Sequence, residues 1–99
     1  MKLVWLPRAI VDRDAQIDFI AQDNPRAAIE QGDRIEHQIS QLIEYPEMGR
    51  PGRVNRAREL VISRTPFIVV YRFKPRLKRI ELIRVLHGTQ AWPPALDEK

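Results

Sequence analysis

Residues 58–87 read RELVISRTPFIVVYRFKPRLKRIELIRVLH, and the fold follows from this stretch. Three apolar runs, 60–62, 67–73 and 80–86, are rich in Val, Ile, Phe and Tyr and are cut by Thr65-Pro66 and Lys74-Pro75. Short β-branched and aromatic runs separated by turn residues predict a three-stranded antiparallel meander. Arginine is built into it: Arg58, Arg64, Arg72, Arg79 and Arg84 recur inside or at the ends of strands otherwise suited to burial. A guanidinium in such a place needs an anionic partner or water, so the ribbon is expected to meet another macromolecule through these side chains.

Side chains alternate across a strand, which puts Phe67, Val69, Tyr71 and Phe73 on one face and Ile68, Val70 and Arg72 on the other. The last strand divides into Ile80, Leu82, Arg84, Leu86 and Glu81, Ile83, Val85, His87. Both faces are apolar, so one helical layer leaves the second to be covered by the chain's own tail or by a partner. Pairing across residues 74–78 places Arg72 and Arg84 on one face. The register of the strand that carries Arg58 stays open, because a one-residue change in the turn at 64–66 turns it over.

Working outward, residues 2–6 (KLVWL) form a short strand, and Pro7 suits the first turn of a helix. Between 8 and 22, Ile10, Ile17, Ile20 and Ala21 fall mostly on one helical face, with Asp12, Arg13, Asp14 and Asp18 elsewhere. Asn24 then serves as N-cap and Pro25 as first residue of a second helix. There Ala28, Gly32, Ile35, Ile39 and Leu42 step by four and three along a stripe that ends before Tyr45-Pro46. The short connection makes the pair an antiparallel hairpin, with Gly32 expected to permit close approach. Residues 47–55 (EMGRPGRVN) read as a loop presenting Arg50 and Arg53 on a mobile segment. Residues 88–99 read as a tail in which Trp92 folds back onto the sheet as an anchor, the alternative being a role in stacking nucleotide bases.

The expected class is therefore α+β: an N-terminal strand, a helical hairpin and a three-stranded meander in one mainly antiparallel sheet, a single domain over 1–99. With 99 residues and 43% hydrophobic content, the chain has material for one core. The absence of cysteine excludes disulfides, thiolate metal sites and cysteine nucleophiles, and a cytoplasmic setting is expected. No apolar run reaches the roughly 18 residues a membrane span needs. The net charge of +4 is unevenly laid out: residues 1–49 carry five basic against nine acidic side chains, and residues 50–87 carry eleven against two. A basic half fits an acidic partner, nucleic acid or protein, although basic side chains also keep edge strands from pairing.

Chemistry is narrowed by what is missing. His37 and His87 are the only histidines and neither has a neighbour at ligand spacing, so no metal and no cofactor is expected. Glycine-rich phosphate loops are absent, and Ser40 and Ser63 sit in no nucleophile setting. Metal-independent RNA cleavage needs only a base, an acid and cations around the phosphorane. His87 could serve as base or acid, Arg58, Arg72 and Arg84 as the cationic clamp, and Glu59, Glu81 or Tyr71 as supporting groups.

The order strand, helical hairpin, basic loop and meander, together with Arg58-Glu59-Leu60-Val61, the Pro66–Arg72 strand and Arg84-Val85-Leu86-His87-Gly88, resembles the RelE/ParE toxin superfamily of bacterial toxin-antitoxin systems. Trp5-x-Pro7-x-Ala9, the Asn24-Pro25 helix start, Gly49-Arg50 and Gln90-x-Trp92-Pro93 fit as well. The resemblance implies a toxin held by an acidic cognate antitoxin from an adjacent gene in a hetero-oligomer. RelE-like members cleave mRNA on the ribosome; ParE-like members poison DNA gyrase. With no tyrosine in the tail and no lysine cluster before Arg58, this chain is similar to the ParE branch. The resemblance then implies target contacts by Arg58, Arg72, Arg84, Arg50, Arg53 and Trp92, whereas a nuclease would use His87, Arg84 and Arg58. A third reading is a non-toxic basic module that binds nucleic acid.

Overall fold

The computed structural model describes residues 1–93. Strand β1 (Lys2–Trp5) leads through Leu6 into helix α1 (Pro7–Asp23), and α2 (Pro25–Ser40) follows after one residue. Asn24 is that residue, and its side chain accepts from the Ala27 N–H at 3.1 Å, which caps α2 as its sequence position suggests. A 3-10 turn at Gln41–Ile43 closes the hairpin. Four strands complete the described chain: β2 (Arg50–Pro51), β3 (Arg58–Val61), β4 (Phe67–Lys74) and β5 (Arg79–His87).

The sheet order is β1-β5-β4-β3-β2. The meander β3-β4-β5 is antiparallel as expected, and β1 adds to its outer edge in parallel, Leu3 opposite Ile80 and Trp5 opposite Leu82. Within the expected loop at 47–55, Arg50 and Pro51 pair with Glu59 and Arg58, so the segment is a short edge strand.

The helices cover one face. Ala9, Ile35, Ile39 and Leu42 pack against Leu60, Ile62, Phe67, Val69, Tyr71, Ile80, Leu82 and Val85 in the main core. Each such aliphatic or aromatic side chain contributes on the order of 1.5–3 kcal/mol when fully buried. Gly32 does not make the hairpin close: a Cβ there would meet Ile17 Cδ1 at 3.9 Å, ordinary contact, so the expected packing reason for glycine is absent.

Strict alternation fails in β5. Tyr71 stands opposite Leu82 but Val70 stands opposite Arg84, leaving Ile83 as an extra residue in a bulge. Ile80, Leu82 and Val85 therefore face the helices, while Glu81, Arg84 and Leu86 face away. The expected grouping of Arg84 and Leu86 with Ile80 and Leu82 is overturned. The slip also sets Arg84 on the face of Arg72, whose partner is Glu81.

Beyond Leu82 the outer edge of β5 has no strand beside it among the described residues, because Pro7 has turned the chain into α1. Helix side chains take over the ladder: Asp12 accepts the Val85 N–H at 3.0 Å and Gln16 donates to the Val85 carbonyl at 2.8 Å. The second face holds a smaller cluster, Ala57, Val70 and Leu86, onto which Val54, Ile83 and Trp92 pack. The fold-back of Trp92 is thus realised, and the chain itself partly closes the face. The expected tail beyond Pro93 lies outside the described residues.

Candidate functional site

Glu59 is the centre of the basic half. It lies in β3 with 2% exposure, on the strand that a basic edge loop folds against. Its carboxylate accepts from the Arg53 backbone N–H at 3.0 Å, from both ends of the Arg53 guanidinium at 3.1 Å, and from Arg50 Nη2 at 3.1 Å. Burial pushes the Glu59 carboxyl up, but the Arg53 hydrogen bonds and then Arg50 outweigh it and hold the group down at about 2. The loop is fitted to this clamp, since a Cβ on Gly52 would stand 2.8 Å from the Ala57 carbonyl oxygen. Arg50 and Arg53 are therefore fastened to the protein's own acid, not presented on a mobile segment.

Arg84 is fastened too. Its Nε donates to Asp12 Oδ2 at 2.6 Å, with the two side chains 11% and 10% exposed, and its guanidinium carbon sits 5.2 Å from the Trp92 ring centroid. Arg79 pairs with Glu81 at 2.6 Å. Arg58 donates to the Gly49 carbonyl at 2.7 Å and lies 3.9 Å from the Glu47 carboxylate. Of the arginines of the ribbon, Arg79 and Arg84 thus have an acid of the chain itself as partner and do not await an outside anion, and the loop residues Arg50 and Arg53 are paired likewise. The physical reason is burial, of the guanidinium itself in Arg84 and of the acid in the other pairs: Glu59 and Glu81 are nearly enclosed and need a cation beside them.

Arg72 differs. The acid opposite it, Glu81, is taken by Arg79, and no carboxylate among the described residues lies within 4.0 Å of Arg72, Arg56 or Lys74. These three line one cleft with Phe73.

The residues of the nuclease set are not brought together. Arg58 stands opposite Tyr71 and His87 opposite Phe67, four residues along β4, or roughly 13 Å at strand rise. Arg84 lies on the other face. His87 is exposed, packs edge-on against Phe67 and accepts the Thr89 N–H at Nδ1 at 3.3 Å. The Tyr71 hydroxyl is inside the core, donating to the Pro46 carbonyl at 2.8 Å and accepting from the Gly49 N–H at 2.9 Å, and burial pushes it up from its usual range. Among the described residues no group of three acids or histidines could hold a metal. Asp12 and Gln16 were invisible in the sequence as partners of β5, since nothing local separates Asp12 from Asp14 or Asp18. Glu59 had a signal: an acid inside an apolar strand beside a basic loop.

The architecture is that of a small α+β protein, a helical hairpin on an arginine-rich, mainly antiparallel sheet. The model of the family described as the ParE toxin of the type II toxin-antitoxin system parDE matches residues 3–92. The chain is 37% identical over 95 residues to Y4kP of Sinorhizobium fredii, covering 96% of each. It is 33% identical over 89 residues to toxin RelE2 of Caulobacter vibrioides, covering 90% of this chain and 97% of that one. A solved structure of the chromosomal ParDE toxin-antitoxin system from P. aeruginosa matches with a TM-score of 0.77 at 30% identity, covering 88% of this chain and 95% of that one. The chain belongs to the ParE family of type II toxin-antitoxin toxins.

Proposed function

We propose that this toxin is held in a hetero-oligomer by an acidic cognate antitoxin encoded beside it, and that once released it acts on DNA gyrase in the cytoplasm and blocks replication. The observation that carries gyrase over RNA cleavage is the dispersal of the nuclease set. Arg84 is bound to Asp12 on one face, while Arg58 and His87 lie far apart on the other. A nuclease needs those groups around one phosphate.

Apolar surface left open by the chain supports the antitoxin reading. Since Trp92 occupies part of the second sheet face, that surface is now on α1, where Val11 and Phe19, the latter 72% exposed, lie two turns apart. Beside Phe19, an apolar groove runs to Pro66, Phe67 and His87. Among the described residues no helix is long and apolar enough to cross a membrane.

The test is a gyrase assay with purified toxin. Supercoiling stops or cleaved DNA is trapped, and equimolar antitoxin reverses the effect. Normal supercoiling at large toxin excess, with message cut only on translating ribosomes, would replace this reading with the RelE-type one.

A further inference from the structure

We propose that Arg56, Arg72 and Lys74 form a phosphate-binding cleft by which this chain binds nucleic acid directly. The inference concerns binding to nucleic acid alone, so it stands or falls apart from the gyrase reading.

The argument begins from the pairing of charges. Internal acids account for Arg50, Arg53, Arg79 and Arg84, and backbone carbonyls hold Arg58. Eight cations have no carboxylate within 4.0 Å among the described residues, and three of them, Arg56, Arg72 and Lys74, line one cleft of about 410 Å³ together with Phe73. Arg56 and Phe73 also line an adjoining cleft of about 500 Å³, where Arg58 faces its own partner Glu47. Like charges placed together without counter-charge repel one another, and an arriving anion removes that cost.

The cleft is held in shape. Arg72 and Lys74 are two apart on β4, on one face and roughly 6.6 Å from each other along the strand, comparable to the interval between adjacent phosphates of an extended strand. Arg56 comes from the loop before β3 and has φ 63, in the left-handed region where a non-glycine residue is strained. Two hydrogen bonds hold that loop, Gly52 N–H to the Ala57 carbonyl at 2.8 Å and Ala57 N–H to the Val54 carbonyl at 3.1 Å. A guanidinium fork matches phosphate oxygens in two-point contact. An acidic protein segment fits less well. Such a segment is usually anchored by apolar side chains, whereas the surface lining this cleft is mostly polar.

The experiment is fluorescence anisotropy of a labelled DNA duplex and a labelled single strand with the full chain, over a range of salt. For duplex DNA each phosphate contact contributes about 0.9 to the slope of log affinity against log salt. The variant Arg56→Ala/Arg72→Ala/Lys74→Ala is expected to lose about 2 to 3 from that slope, and Arg26→Ala, which removes a distant exposed charge, to lose nothing. Melting temperature checks the fold, and Arg56→Ala/Lys74→Ala supplies the reading should the strand-centre change unfold the chain. An unchanged slope in a folded variant overturns the proposal. Preferential binding of poly-glutamate over DNA, abolished by the same substitutions, overturns it in favour of an acidic protein partner.

Discussion

Replacing Glu59 by Gln removes the one acid that holds the edge loop, and the cost can be worked from the site. The carboxyl is held at about 2 against an ordinary 4.5, and a shift of that size corresponds to about 3 kcal/mol. This is an upper figure, because Arg50 and Arg53 are 55% and 46% exposed and water screens part of the attraction. At about 4–8 °C per kcal/mol for a domain of this size, the ceiling is about 12–24 °C, and with the screening Glu59→Gln is expected to melt about 10 °C below wild type at pH 7. The sign with pH follows from the lowered value. The stabilisation is fully present above pH 4.5 and is lost as the pH falls through about 2, so the gap between wild type and variant closes across that window. Thermal unfolding followed by circular dichroism between pH 2 and 7 reads both quantities. A gap under about 1 kcal/mol at pH 7, or one that persists at pH 2, would refute the clamp as described.

Two further substitutions probe the packing. Asp12→Ala strands a nearly buried guanidinium and the Val85 N–H, and is expected to cost about 3–5 kcal/mol in urea unfolding. Adding Arg84→Met to it should restore part of the loss, and a double variant as unstable as the two single costs added together would show that the pair is not coupled. Gly32→Ala has room for its methyl against Ile17 and is expected to stabilise the chain by about 1 kcal/mol, seen as a raised denaturation midpoint. Destabilisation there would mean that the helices cannot accommodate even that methyl group.

The elements themselves were legible because their signals are local. Asn24-Pro25 marks a helix start wherever it sits, the four-and-three stripe of α2 survives as buried Ala28, Ile35 and Ile39, and Thr65-Pro66 and Lys74-Pro75 separate the strands. The candidate site was legible only in part. That the arginines matter could be read from their placement in apolar strands, but which of them are available could not. Asp12 meets Arg84 across 72 positions, and Glu59 meets Arg53 only after the loop has folded over β3.

The sequence alone determined the secondary elements other than the edge strand Arg50–Pro51, their order and the segregation of charge, since periodicity, proline and capping act over a few residues. Tertiary structure decided the rest. The extra residue Ile83 reverses the faces of β5 beyond it, the helix edge completes the ladder in place of a strand, and acids of the chain pair with Arg50, Arg53, Arg79 and Arg84 while, among the described residues, none pairs with Arg56, Arg72 or Lys74. The reason is that register and ion pairing depend on which distant groups share a desolvated space, and that is settled only when the layers close.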